Sequence, residues 1–205
     1  MLKKYHIIAL FFILSLCTMI SAQAFSTLDA LLHHSNDPIG GNARGNITIV
    51  EFFDYQCSHC VDMAPVMNDI INANPNVRVV YKDFPIRGSL SDYAALAALA
   101  ANQQGKYIEF NHALLSSSQS LSKESILDIA KSLKINIKKF TKDMANIRLK
   151  NQLKDNRELA QAMQLTGTPA FFIGKTNAKH QSELHFILGA ATQSEIQAAI
   201  DKASR

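Results

Sequence analysis

Residues 47–60 read ITIVEFFDYQCSHC, and this stretch decides the fold. Its first eight residues are mostly β-branched or aromatic, which predicts a buried strand of a parallel sheet. From Cys60 onward, apolar residues recur at helical spacing, with Val61 and Ile71 on one face. The sequence therefore predicts a strand that leads through two residues into Cys57 at the start of a helix.

Strand signals elsewhere in the chain frame a long helical block. Further strands are predicted at 77–84, 170–173 and 184–188. Residues 91–165 lack strand signals and carry amphipathic stripes, and the last of these helices is expected to stop near Gly167. The predicted order is strand, helix, strand, helical block, two strands and a helix, so that a small α/β sheet remains when the block is removed.

Local signals also mark individual helix boundaries. Ser122 is placed to cap a helix of the block, and a capping box that starts at Thr192 precedes the C-terminal helix. Pro65 lies inside the first helix, and because the apolar spacing continues beyond it, a kink is expected rather than an end. Toward the N terminus, a short helix is predicted at 27–32, followed by a Gly-rich loop.

The first 24 residues have the layout of a secretory signal. Lys3 and Lys4 are followed by an apolar stretch through 7–16, and small residues precede a cleavage point after Ala24. A retained membrane anchor is the alternative, but the apolar core is shorter than the roughly 20 residues that span a bilayer. We therefore expect export, most simply to the periplasm, with a mature chain of residues 25–205.

Composition and charge exclude several classes of function. The chain has 205 residues, of which 47% are hydrophobic and 19% charged, so it is not a disordered protein. Aromatic residues make up 8% with no Trp, and the net charge of +4 falls to +2 without the two N-terminal lysines, which argues against nucleic-acid binding. Residues 131–154 hold eight basic residues against one acid, and we interpret them as a solvated helical surface.

Cysteine usage points to chemistry rather than to a structural framework. Of three cysteines, one lies in the predicted signal, which leaves Cys57 and Cys60 in a C-x-x-C arrangement. A chain of this length can bury a core unaided, and so short a loop adds little entropic stabilisation. The alternatives are an inert structural disulfide, or a zinc site completed by histidines. The remaining candidate zinc ligands, His112, His180 and His185, are scattered along the sequence.

The predicted placement makes Cys57 the nucleophile. Unpaired backbone N–H groups and the helix dipole stabilise a thiolate at a helix N terminus. Ser58 and His59 separate the two cysteines, and protonated His59 would add a positive charge beside the thiolate. Cys60 is expected one turn further in, more buried and near enough to close a disulfide. A stabilised reduced form would make that disulfide a ready oxidant.

Two motifs resemble the thioredoxin superfamily. These are EFFDYQCSHCVDMAP at 51–65 and TGTPAFFIG at 166–174. The C-x-H-C pattern and the helical block are similar to the DsbA-type branch of exported thiol–disulfide oxidoreductases. Ser58 departs from the proline of the best-known DsbA-type motif, whereas Pro65 resembles the helix-kinking proline of thioredoxins. The resemblance implies a thioredoxin-like α/β fold, with an all-helical insertion at about 89–165 between the second clear strand and the cis-Pro strand.

The resemblance also implies roles for further residues. Thr168 and Pro169 match the loop whose proline is cis and faces the disulfide, where the Thr168 backbone would pair with substrate. Glu51 resembles the buried acid beneath the active site, which can relay the proton of Cys60. A solvent-facing glutamate on an edge strand is the alternative for Glu51. Lys82, in the next strand, would be its partner on a looser match.

The function implied is that of an exported oxidoreductase that introduces disulfide bonds into secreted proteins. Its redox-active disulfide would be Cys57–Cys60, with no other cofactor and no metal. Expected partners are reduced exported polypeptides and a membrane-bound reoxidising protein, and the protein is expected to be a monomer that binds no nucleic acid. The alternatives are a disulfide isomerase or reductase, which Thr168 before Pro169 favours, and a redox-inactive peptide-binding chaperone that would not need the cysteines.

Overall fold

The computed structural model describes residues 27–117 and 121–205. The predicted secretory signal at 1–24 lies outside the described residues, so export stays a prediction. In the two described ranges, no helix is long and apolar enough to cross a membrane.

One five-stranded sheet is formed by the described residues, in the order β1-β3-β2-β4-β5. Its strands are β1 (Ile39–Gly41), β2 (Ile47–Phe53), β3 (Val77–Asp83), β4 (Ala170–Lys175) and β5 (His185–Leu188). Strands β2 and β3 are parallel and the other neighbouring pairs are antiparallel. All residues of the central strand β2 are buried, which agrees with its continuous apolar run.

Strand β1 was not predicted from the sequence, where its residues belong to a Gly-rich loop. Three residues are too few for a period-two pattern to be recognised. Gly41 has φ +63, and a Cβ at this position would lie 2.6 Å from the Val77 carbonyl oxygen. The glycine therefore allows the chain to approach β3 closely, and the pairing with β3 makes this segment a strand.

The helices follow the predicted order. They are α1 (Ser58–Ala73), α2 (Ser89–Asn102), α3 (Tyr107–Leu115), α4 (Lys123–Ser132), α5 (Ile137–Met144), α6 (Ile147–Ala162) and α7 (Gln193–Ala203), with helical residues also at 27–32. Helix α1 continues through Pro65, as predicted. The predicted caps are present, because Ser122 accepts from Ser125 N–H and Thr192 from Glu195 N–H.

The end of α6 differs from the sequence-based expectation, which placed it near Gly167. The helix ends at Ala162, and Gln164 turns into the left-handed region with φ +56. The Leu165 N–H closes the end by donating to the Ala160 carbonyl over 2.9 Å. Leu165 also packs against the apolar cluster that contains Ala160, and this burial offsets the conformational cost of a left-handed residue other than glycine.

The sheet buries a different core on each face. Ile49, Glu51 and Phe53 of β2 point to the face covered by α1 and α7, here called the α1 face, which continues into the helical block. Val50 and Phe52 point to the opposite face, covered by helix 27–32 and the C-terminal half of α6. The alternation along β2 therefore decides which side chains lie beneath the two cysteines.

Candidate active site

The two cysteines lie at the N terminus of α1, as the sequence predicts. Cys57 is the N-cap residue, with φ −85° and ψ 113°, and Cys60 lies in the first turn of the helix. Both thiols are free and buried. No side-chain group caps this end of the helix. As the N-cap residue, Cys57 carries its sulfur at the positive end of the helix dipole, which favours a thiolate.

Two groups distant in sequence contact the Cys57 sulfur. The thiol donates a hydrogen bond to the Thr168 carbonyl (Sγ to O, 3.3 Å), and Arg87 Nη2 donates to the sulfur over 3.6 Å. Burial raises the pKa of the Cys57 thiol, but the nearby Thr168 side chain, Cys60 and the Arg87 hydrogen bond lower it by more than burial raises it. The pKa of Cys57 therefore lies below the usual value of a thiol.

Cys60 has the opposite acidity. Burial raises the pKa of the Cys60 thiol far above its usual range, and the neighbouring Cys57 raises it further. The Asp54 backbone and the nearby Thr168 side chain oppose this increase only in part. In the reduced protein, Cys57 is therefore the thiol that ionises, and Cys60 keeps its proton.

The Thr168–Pro169 peptide bond is cis, as predicted, and its loop lies against Cys57. The Gly189 N–H donates to the Pro169 carbonyl over 2.8 Å, which joins this loop to the end of β5. Thr168 Oγ1 is buried and has no hydrogen-bond partner in the described residues. This hydroxyl is available to donate to a cysteine thiolate.

Glu51 is buried, as the resemblance implied, and the solvent-facing alternative is wrong. It lies in the middle of β2 on the α1 face with 3% of its surface exposed, and burial raises its pKa to about 8. The predicted partner Lys82 lies on the opposite face, because β2–β3 register places it beside Phe52. Lys82 Nζ instead pairs with Asp37 Oδ2 over 2.5 Å.

The side chains between the two cysteines form no hydrogen bond with the nucleophilic sulfur in the described residues. Ser58 and His59 are both exposed, and within the described residues no hydrogen bond joins either side chain to Cys57 Sγ. Stabilisation of the thiolate by His59 therefore stays a prediction. The same part of the chain holds no group of three or more His, Cys, Asp and Glu side chains suited to a metal ion.

Arg87 and Asp54 were not identified from the sequence. Arg87 lies in the loop between β3 and α2, 30 residues from Cys57, and Asp54 follows β2 directly. The carboxyl ends of adjacent parallel strands lie at one edge of a sheet. The sequence predicted strands at 47–54 and 77–84, and the structure pairs them as parallel neighbours, which brings the two loops together.

A cavity of about 290 Å³ opens beside the first turn of α1. Tyr55, Val61, Leu114 and Leu121 contribute to its lining, so it joins the active-site helix to the helical block. Gln56, Ser58 and Ser117 complete the lining, so the cavity has both apolar and polar walls.

Comparison with known proteins gives the same picture at the level of sequence. A family model, the DSBA-like thioredoxin domain, matches residues 48–201. The thiol:disulfide interchange protein DsbA of Bordetella pertussis is 27% identical over 145 residues, which is 68% of each chain. The Na(+)/H(+) antiporter NhaA 3 of Salinispora tropica is 27% identical over 139 residues, 67% of this chain. The chain spans only 21% of that antiporter's length.

Solved structures extend the similarity to nearly the whole chain. A thioredoxin-like oxidoreductase from Silicibacter pomeroyi has a TM-score of 0.78 and 36% identity, over 86% of this chain and 96% of the other. The thiol-disulfide exchange protein alpha-DsbA2 from Wolbachia pipientis has a TM-score of 0.77 and 27% identity, over 89% and 95%. The predicted thioredoxin-like fold is confirmed.

Proposed function

The chain belongs to the DSBA-like thioredoxin family of thiol–disulfide oxidoreductases, and we propose that within it the protein is an oxidase that introduces disulfide bonds into reduced, exported polypeptides. The observation that carries this proposal is the opposite acidity of the two cysteines. The lowered pKa of Cys57, at the N terminus of α1 and beside Arg87 and the Thr168 loop, stabilises the reduced form of the pair. A disulfide whose reduced form is stabilised is a strong oxidant.

The proposed reaction has two exchange steps. A substrate thiolate attacks Cys57 Sγ of the enzyme disulfide, forms a mixed disulfide and expels Cys60, which takes up a proton. A second substrate thiolate then attacks the substrate sulfur of the mixed disulfide, and Cys57 leaves as a thiolate. The substrate dithiol loses two electrons and becomes a disulfide, and the enzyme disulfide gains them and is reduced. Of the two substrate protons, one is balanced by the proton that Cys60 takes up, and the other goes to solvent.

Glu51 is proposed to exchange the proton of Cys60. Its carboxyl group lies on the sheet face that α1 covers, and burial raises its pKa to about 8. A group that titrates near neutral pH can both accept and return a proton in each catalytic cycle. In the oxidised resting enzyme, Glu51 would supply the proton that Cys60 takes up when it is expelled.

Substrate is proposed to bind across the Thr168–Pro169 loop. The backbone of Thr168 would pair with an extended segment of the substrate, which brings a substrate cysteine to Cys57. The cavity beside α1 would take an apolar side chain near that cysteine. Reoxidation by a membrane-bound partner is proposed from the family, and export from the signal-like layout of residues 1–24.

The experiment is an oxidation assay on a reduced peptide with two cysteines, together with the reduction potential of the enzyme against glutathione. An oxidase should form the peptide disulfide stoichiometrically and have a potential less negative than about −200 mV. Cys57→Ser should abolish turnover. Cys60→Ser cannot form the enzyme disulfide and should also fail to oxidise the peptide, but when a peptide disulfide is supplied as the oxidant it should accumulate a mixed disulfide at Cys57. A reduction potential of about −270 mV would show a reductase. If Cys57→Ser assisted refolding as well as the wild type, the protein would be a chaperone that does not need the cysteines.

A disulfide isomerase is the second candidate, and Thr168 favours it. The side chain of Thr168 opposes the effect of burial on the pKa of both cysteines, although only the pKa of Cys57 falls below its usual value. An isomerase must rest as a reduced thiolate able to attack incorrect disulfides. Reactivation of a scrambled ribonuclease by the reduced protein, without added oxidant, would favour this role over oxidation.

A further inference from the structure

Arg87 places a permanent positive charge on the nucleophile. Its side chain is exposed, and Nη2 donates to Cys57 Sγ over 3.6 Å. Arginine stays protonated and has several N–H donors, so it can interact with a thiolate at any physiological pH. Among the described residues, Arg87 is the cationic side chain that contacts this sulfur, since His59 in the same helical turn is exposed and makes no such bond.

The loop that carries Arg87 is held by one buried carboxylate. Asp54, with 1% of its surface exposed, accepts backbone hydrogen bonds at Oδ2 from Ile86 over 2.7 Å and from Arg87 over 3.0 Å. Its Oδ1 accepts from the Gln56 N–H and from Ser91 Oγ, each over 2.7 Å. Both carboxylate oxygens are thus used to join the β2–α1 loop to the β3–α2 loop.

Further hydrogen bonds tie the same two loops to the nucleophile. Gln56 Nε2 donates to Ser91 Oγ over 2.8 Å and to the Arg87 carbonyl over 3.3 Å. The Cys57 N–H donates to the Asp54 carbonyl over 3.0 Å. The backbone of the nucleophile and the backbone of Arg87 therefore share Asp54 as a common anchor.

We propose that Arg87 is a catalytic residue that stabilises the Cys57 thiolate, and that Asp54 is a positioning residue that holds Arg87 on the sulfur. This inference rests on the proposed thiol–disulfide chemistry at Cys57, but not on whether the enzyme works as an oxidase or an isomerase. A charge-assisted hydrogen bond to a thiolate has no equal counterpart in the mixed disulfide, because that sulfur is neutral. Arg87 thus favours the states in which Cys57 carries negative charge.

The step that benefits is the release of substrate. When the second substrate thiolate attacks the substrate sulfur of the mixed disulfide, the bond from that sulfur to Cys57 breaks. Cys57 Sγ leaves with the electron pair, and Arg87 Nη2 lies where the new charge develops. The same contact stabilises the reduced enzyme, which makes its disulfide more oxidising.

The first test is a pH titration of thiolate absorbance in the reduced protein. In Arg87→Gln we expect the pKa of Cys57 to rise. Below that pKa, the population of thiolate should be about three- to tenfold smaller than in the wild type. The effect is limited to this size because the lost hydrogen bond is partly solvated. Arg87→Lys keeps the charge but not the planar donor fork, and should recover part of the effect. Arg148→Gln, at an exposed arginine of α6, is the matched control and should leave the titration unchanged.

The second test asks whether Asp54 acts through Arg87. Asp54→Asn should also raise the pKa of Cys57. In the double variant Arg87→Gln with Asp54→Asn, the pKa of Cys57 should rise little further than in either single variant, because each substitution removes the same interaction between Arg87 and the sulfur. Ser91→Ala, which removes one of the bonds to Asp54, is the milder variant if Asp54→Asn does not fold; its smaller shift should likewise vanish when Arg87 is already Gln.

An unchanged titration in Arg87→Gln would overturn the catalytic assignment. Additive shifts, or an Asp54 variant that loses stability while its titration stays at the wild-type position, would overturn the positioning role. Failure of the oxidase proposal is seen separately, in the reduction potential of the wild-type protein, and leaves both titration results interpretable.

Discussion

The two faces of the sheet bury their acidic side chains in different ways. On the face covered by helix 27–32 and α6, Asp37 Oδ2 forms an ion pair with Lys82 Nζ over 2.5 Å. Lys82 Nζ also donates to the Ala30 carbonyl over 2.8 Å. On the α1 face, Glu51 and Asp83 are equally buried, yet in the described ranges neither has a cationic side chain within ion-pair distance. One face thus contains a charge pair, whereas the other contains acids without counter-charge.

The difference decides which groups can exchange protons. Burial raises the pKa of Glu51 to about 8 and that of Asp83 to about 7, which places both within the neutral range. Burial also raises the pKa of Asp37, but the attraction of Lys82 opposes that shift. The opposite face therefore uses its acid as part of the scaffold, while the face beneath the cysteines holds acids that can titrate during thiol chemistry.

The largest effect is expected when the charge pair is broken. Lys82→Met leaves Asp37 buried without its cation, and we expect a loss of about 3–5 kcal/mol in the free energy of unfolding. Urea unfolding of the reduced protein at pH 7 measures it. Replacing both partners, as Lys82→Met with Asp37→Leu, should recover most of the loss, because no unpaired charge remains. A single variant within about 1 kcal/mol of wild type would contradict the comparison.

Removing Glu51, one of the two titratable acids of the α1 face, should change the free energy of unfolding in the opposite direction. Glu51 ionises near 4.5 when unfolded and at about 8 when folded, so over that range the unfolded chain holds fewer protons. Stability therefore falls as pH rises from 4.5 to about 8 and levels off above. Glu51→Gln should flatten this fall and raise the free energy of unfolding at pH 8 by ~2–4 kcal/mol.

Unfolding midpoints in urea at pH 5, 6.5 and 8 would check the Glu51 prediction, with equal stability of the two proteins expected near pH 4.5. A parallel pH dependence in Glu51→Gln and wild type would show that Glu51 is not the group responsible.

Asp83 provides a smaller version of the same test. The Tyr107 hydroxyl donates to Asp83 Oδ2 over 2.8 Å, and this bond partly opposes the effect of burial on the Asp83 pKa. Because the folded pKa, about 7, is above the unfolded value of 3.8, stability falls with pH between these values. Asp83→Asn should raise the free energy of unfolding at pH 8 by ~1–2 kcal/mol and leave Cys57 reactivity unchanged. A loss of stability at pH 8 would instead assign a structural need for the carboxylate.

The smallest effect is expected for charges that lie on neither face. Lys138 and Lys139 are exposed on α5, and Lys139 pairs with Asp143 at the surface. Changing both lysines to Glu should alter stability by less than about 1 kcal/mol. Peptide oxidation should stay within about twofold at moderate salt, where screening acts over roughly 10 Å. A large loss that depends on salt would show that the basic surface at 131–154 docks an acidic partner.

Much of the fold could be predicted from short stretches of sequence. The strand-to-helix transition at 47–60 was confirmed because β-branched residues, helical spacing and the cysteines all lie within one local segment. The caps at Ser122 and Thr192 were confirmed for the same reason, since a cap bonds to a backbone group three residues away. Strand β1 and the end of α6 were missed, because in both places contacts with distant elements override the local signal.

The site was predicted only as far as its residues lie in recognisable motifs. Cys57, Cys60 and the cis Thr168–Pro169 bond lie in two such motifs. The predicted pairing of Glu51 with Lys82 was wrong, because it depended on the strand register. One residue of offset sends neighbouring side chains to opposite faces, so a plausible pair in sequence became two separate groups.

What the sequence determined by itself is therefore the chemistry and its local setting: a thiol pair at the start of a helix, after a buried strand. Tertiary structure alone decided which groups tune that chemistry. Arg87 reaches Cys57 because β2 and β3 are parallel neighbours and Asp54 binds both loops that follow them. Hydrogen bonds within one helical turn depend on adjacent residues, whereas contacts between loops depend on how whole strands pair, which no short pattern contains.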